Sequence, residues 1–224
     1  MIPLRDRNPS GSFPAVTVAL IAANVVVFLF EMMAQQDLER FFSAYALIPA
    51  KVMLGLDGRL PWSDVVTPFF SSMFLHGGWL HLIGNMWYLW IFGDNVEDTL
   101  GPVRFLLFFL LTGLAAGITH VALNPASTIP TVGASGAISG VLAGYAVLFP
   151  HARVLTLVPL GFFLRVMELP AVVLLIIWVI LQVLSGLVSF GMEQAGGVAW
   201  GAHVGGFVAG LVLVRLFRPR RVMA

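Results

Sequence analysis

Hydrophobic positions in this chain fall into six long runs separated by polar or mixed segments. The runs cover about Pro14 to Met33, Trp79 to Val96, Val103 to Leu123, Ser135 to Phe149, Ala171 to Phe190 and Val198 to Phe217. A hydrocarbon core about 30 Å thick needs roughly 20 apolar residues per helical crossing, so each run is a candidate span. The fourth is short. The fifth follows Pro170, which suits a first helical turn. None alternates with a two-residue period and all are too long for barrel strands. The expected fold is therefore all-α, a polytopic membrane protein of six transmembrane helices. The stretch from about Gln35 to Gly78 mixes Phe41, Phe42, Tyr45, Trp62, Phe69, Phe70 and Phe74 with scattered charges, a pattern that suits a segment lying in the membrane interface.

Charge orients the helices. Six crossings place both ends on one side, and that side collects Arg5, Arg7, Arg104, Arg153, Arg165, Arg215, Arg218, Arg220 and Arg221. The other side has Arg40, Lys51 and Arg59. Basic residues favour the cytoplasmic face, so both termini are expected there, and spans two, four and six run inward from the outer face. Composition agrees: 59% hydrophobic and 10% charged residues, with a mean hydropathy of +0.95, exclude an ordinary soluble domain. The length suits one membrane domain, residues 1–224. The closing Arg218-Pro219-Arg220-Arg221 reads as a topology signal and not as a nucleic-acid patch. The first apolar run lacks a small-residue cleavage site and is read as a retained span. With no cysteine, thiol nucleophiles, thiolate metal sites and disulfides are excluded.

Polar groups inside spans are costly and are functional candidates by default. Three clusters stand out. Gly133-Ala134-Ser135-Gly136 opens the short fourth span, where first-turn N–H groups lack helical partners and the helix dipole favours negative charge. Acyl transfer needs such donors around a tetrahedral oxyanion, although a serine here can also be a helix N-cap. His203 lies early in span six, at a depth similar to Ser135. The glycines Gly136, Gly140 and Gly144 on span four, and Gly206 and Gly210 on span six, repeat every four residues and permit close helix packing. Close packing is what a serine-to-imidazole hydrogen bond between helices requires, and it also serves packing alone. His81 and Asn85, four apart on span two, share one face and can donate hydrogen bonds. His76 suits a capping or loop-bracing role, and His120 on span three is a rival base without the glycine context.

The set His81-x-x-x-Asn85, Gly133-Ala134-Ser135-Gly136 and Ala202-His203-x-x-Gly206-x-x-x-Gly210 resembles the rhomboid family of intramembrane serine proteases, over about Pro14 to Phe217. The resemblance implies a catalytic dyad of Ser135 and His203, with His81, Asn85 and the backbone around Gly133 and Ser135 binding the oxyanion and substrate. It further implies single-pass transmembrane protein substrates, cut within their membrane segments and admitted past span five or the loop Gly191 to Gly197. Six spans with both termini inside match bacterial members, which implies a bacterial cytoplasmic membrane. Gly93-x-x-x-Glu97 resembles a structural element of the family. The chain departs from the family pattern in the first loop, which lacks a Trp-Arg pair, and at Ser139, where some members place a tyrosine against the histidine. No cofactor or metal is expected. A zinc protease would want His-Glu-x-x-His, and an aspartyl protease would need two embedded carboxylates at matched depth; neither is found. The competing classes are a proteolytically silent rhomboid-like client binder and, more remotely, a transporter.

Overall fold

The computed structural model describes residues 1–34, 37–160, 163–189 and 199–219. Its long helices are α1 (Ala15–Met33), α5 (Trp79–Leu100), α6 (Pro102–Leu123), α7 (Ser135–Leu148), α8 (Ala171–Ser189) and α9 (Trp200–Phe217). Between α1 and α5 lie three short helices, α2 (Leu38–Tyr45), α3 (Pro49–Leu56) and α4 (Trp62–Ser71), followed by a single 3₁₀ turn. Among the described residues, α1, α6 and α9 are each long and apolar enough to cross a membrane by length and composition. Helices α7 and α8 are apolar but shorter over that measure. Helix α5 carries His81 and Asn85 near one end and Asp94, Asn95, Glu97 and Asp98 at the other, which lowers its hydropathy.

The expectation of an all-α chain is corrected by a three-stranded antiparallel sheet. Strands β1 (Ile2–Asp6), β2 (Arg153–Leu160) and β3 (Phe163–Pro170) are ordered β1-β2-β3. Ile2 faces Leu157 across the first pair, and Val154 faces Leu169 across the second. The physical reason is a two-residue period: Val154, Thr156 and Val158 are buried while their neighbours are less so. Leu155 and Leu157 on the opposite face mask that alternation in the sequence. The strands are also too short to cross a bilayer as a helix.

Helix α7 is the axis of the fold. Gly136 to Tyr145 are all buried, as expected for a helix apolar on every side. Helices α5, α6 and α9 pack around it, and the core joins Leu89, Phe92, Phe105, Phe108, Val141 and Val214. Glycine sets how closely they approach. A Cβ built at Gly206 would lie 2.0 Å from the Gly136 carbonyl oxygen, and one at Gly210 would lie 2.4 Å from that of Gly140. On the α6 side, a Cβ at Gly136 would lie 2.6 Å from Ala116 Cβ.

At the opposite end from Ser135, α5 caps α1. Glu97 accepts hydrogen bonds from Val16 N–H (2.9 Å), Thr17 N–H (2.7 Å) and the Thr17 hydroxyl (2.8 Å). A carboxylate there satisfies first-turn donors and complements the helix dipole. Gly93, one turn earlier, leaves room for Thr17, whose Oγ1 would lie 3.1 Å from a Cβ at that position. The adjacent Asp98 takes Gly11 N–H at 3.0 Å.

Candidate active site

Ala134 occupies the N-cap position of α7 with no side-chain capping bond, and Ser135 is the first helical residue. The serine hydroxyl is thus free of the capping role. It lies 2.7 Å from Nε2 of His203, which comes from the first turn of α9. The contact follows from the glycine packing: Gly136 and Gly206 touch one residue and three residues along from these two side chains. His203 is 6% exposed, and its other nitrogen, Nδ1, lies 2.6 Å from Gln182 Oε1 on α8. Trp178 and Trp200 flank the ring, with centroids 5.8 and 6.0 Å from it. Ser139, one turn after Ser135, bonds back to the Ser135 carbonyl at 2.6 Å.

The approach to Ser135 is shaped by Gly133, whose φ of +119° is a conformation that favours glycine. Its N–H donates to Ser72 O at 2.8 Å, and a Cβ there would sit 2.6 Å from His81 Nε2. The same Cβ would lie 3.4 Å from Asn85 Nδ2, so both α5 side chains stand against the turn that leads into Ser135. Asn85 Nδ2 donates to His76 Nε2 at 2.9 Å, which leaves its second N–H available. His76 is 1% exposed, in the loop before α5; burial and the adjacent His81 lower its pKa to about 4. It is therefore neutral near pH 7 and can accept this bond. The His76 backbone N–H in turn donates to the buried carboxylate of Glu31, at 2.9 Å to Oε1.

These groups line a cavity of about 690 Å³, bounded by His81, Asn85, Gly133, Ser135, Trp200 and His203 among others. His120 lines it too, with Nε2 bonded to Thr131 Oγ1 at 2.9 Å; its bond goes to a threonine of the loop and not to Ser135. The structure thus brings Ser135, His203, His81, Asn85, Gly133 and Gly136 to one end of the bundle, while Gly140 and Gly210 carry the same packing deeper. The loop Gly191 to Gly197, expected to flank the access route, lies outside the described residues, as do Arg220 and Arg221. The sequence reading missed Gln182; the signal available was an amide directly after the stretch Val172 to Leu181, built only of Val, Leu, Ile and Trp. It read Gly93-x-x-x-Glu97 as structural but did not find that Glu97 caps the start of α1.

The sequence model of the Rhomboid domain family matches residues 63–220, more than half of the chain. The chain belongs to the rhomboid family. Rhomboid-like protein 11, chloroplastic, of Arabidopsis thaliana is 32% identical over 66% of this chain and 51% of its own length. RHOMBOID-like protein 4 of the same plant is 29% identical over 92% of this chain and 54% of its own. The presenilin-associated rhomboid-like protein, mitochondrial, of Homo sapiens is 30% identical over 60% of this chain and 33% of its own. This rhomboid therefore spans about half or less of the length of those curated relatives. Membership and the apolar helices make it an integral membrane protein. The relatives' names point to chloroplast and mitochondrion, so the expectation of a bacterial cytoplasmic membrane finds no support in them.

Proposed function

We propose that this rhomboid is an intramembrane serine endopeptidase that cleaves transmembrane segments of single-pass membrane proteins with a Ser135–His203 dyad. The observation that carries the reading is the 2.7 Å contact between Ser135 Oγ and His203 Nε2, made across two helices at the edge of a cavity. Ser135 Oγ attacks the scissile carbonyl while His203 Nε2 takes its proton. The carbonyl electrons move to an oxyanion that accepts hydrogen bonds from the Ser135 N–H, the free Asn85 N–H and His81. Collapse breaks the C–N bond, and the imidazolium returns its proton to the leaving amine. Water then adds to the acyl-enzyme with His203 again as base, releasing the acid and restoring the serine.

The same reading takes residues 1–224 as one domain with six crossings and cytoplasmic termini. Two features support it. Pairing of β1 with β2 puts the segment before α1 on the same side as the segment after α7, so the crossings between them are even in number. The active-site ends of α5, α7 and α9 are all N-terminal ends, as three parallel crossings require. The test is reaction of the detergent-solubilised protein with a fluorescent serine-directed phosphonate. We expect labelling of wild type and none of Ser135→Ala or His203→Ala. Folded wild type that resists the probe would turn the reading toward a silent client binder, and labelling that persists in Ser135→Ala would refute the assigned nucleophile.

A further inference from the structure

Besides Ser135 on α7, His203 meets two side chains of α8. Gln182 Oε1 receives its Nδ1 side at 2.6 Å, and Trp178, four residues earlier, lies against the ring with its plane tilted by 32°. Residues four apart share one helix face, so α8 presents both groups together. Every residue of α8 before Gln182 is apolar, and Val173, Ile176, Ile180 and Leu181 are exposed on its far side. An amide in such a helix is costly unless its polar atoms find partners. Here the partner is the base itself.

The chemistry requires a particular tautomer. To accept the serine proton, Nε2 must carry its lone pair, so the neutral ring carries its hydrogen on Nδ1. That hydrogen needs an acceptor, and the amide oxygen of Gln182 supplies one. When Nε2 gains the proton, Nδ1–H becomes a stronger donor to an oxygen already in place. The other histidines around the cavity, His81 on α5 and His120 on α6, carry no negative charge to do this. We propose that Gln182 is a positioning residue that fixes the His203 tautomer, and that with Trp178 it makes proton transfer depend on α8 being docked against α9. This rests on the dyad reading above.

The test measures kcat and KM of the full-length protein in detergent on a fluorogenic transmembrane peptide, across about pH 5 to 9. Gln182→Leu removes the acceptor at similar volume and is expected to lower kcat by about tenfold or more, with KM unchanged. Gln182→Glu keeps an acceptor, retains most of kcat, and moves the acid limb of the profile to higher pH, because a carboxylate beside Nδ1 favours the imidazolium. Trp178→Leu combined with Gln182→Leu should lose little more than the worse single variant, since both act on one ring. Wild-type kcat in Gln182→Leu would overturn the proposal. So would an unmoved acid limb in Gln182→Glu, which reads the role even if Gln182→Leu unfolds, and fully additive losses would overturn the shared restraint by α8. Ser135→Ala separates the two levels: continued cleavage there sinks the dyad, whereas an inactive Ser135→Ala beside a fully active Gln182→Leu sinks the positioning role alone.

Discussion

Gly206→Ala puts the packing argument to a quantitative test. The new methyl carbon would sit 2.0 Å from the Gly136 carbonyl oxygen and 2.9 Å from its carbon, with Ala116 Cβ at 3.4 Å. The first two atoms are backbone of a buried helix and cannot swing away. Restoring ordinary contact requires α9 to move outward by about 1 Å or more. His203 lies one turn before Gly206 on α9, and Ser135 is the residue before Gly136, so the same displacement acts on their 2.7 Å hydrogen bond. Adding about 1 Å takes that pair beyond useful hydrogen-bond range. Misplacement on this scale costs on the order of 100-fold in rate, and the overpacking destabilises by about 1–3 kcal/mol. The assay is cleavage of the transmembrane peptide together with thermal unfolding in detergent. Gly84→Ala is the control: a Cβ there meets nothing within 4 Å, and both readouts should stay at wild-type level. A Gly206→Ala enzyme within about threefold of wild-type activity and equal in stability would refute the claim that backbone contact sets the dyad distance.

Two further outcomes follow from polar contacts. Glu97→Ala strands the Val16 and Thr17 donors at the start of α1 and should destabilise by about 2 kcal/mol or more, with Glu97→Gln falling between; an unchanged unfolding temperature would contradict the capping role. His76 binds its proton with a pKa of about 4 when folded, whereas an unfolded histidine does so near 6.5. The unfolded chain therefore holds more protons between those values, and stability is complete above 6.5 and falls as pH drops toward 4. His76→Gln should flatten that part of the curve of unfolding temperature against pH, and an equally steep decline in the variant would assign the effect elsewhere.

The helices were legible because their signal is local. The expected runs beginning near Pro14, Trp79, Val103, Ser135 and Ala171 match α1, α5, α6, α7 and α8 to within a residue or so at their starts. Ser135, His203, His81 and Asn85 were readable as candidates because polar groups in apolar helices are few. What was hidden depends on partners distant in the chain. The sheet needed residues 2–6 to meet 153–160, and Leu155 and Leu157 blurred its period. Glu97 read as part of a structural element with Gly93, but its partners at the start of α1 lie some 80 residues away in the chain. Gln182 went unread, since only the helix packing turns its oxygen toward His203.

The pairing of β1 with β2 also bears on how the protein is made. Ile2 and Leu157 are partners, so the ribosome completes four long helices between one strand and the other. At about 5–20 residues per second, β1 waits on the order of ten seconds for its neighbour. Trp87, which donates to the Pro3 carbonyl at 2.6 Å, offers it an earlier foothold on α5. Biosynthesis thus closes this sheet late, after much of the bundle has entered the bilayer. A folded tag fused so that it captures the β1 backbone would yield inserted helices with β2 left as an open edge, and expression would fail through aggregation of an otherwise assembled protein.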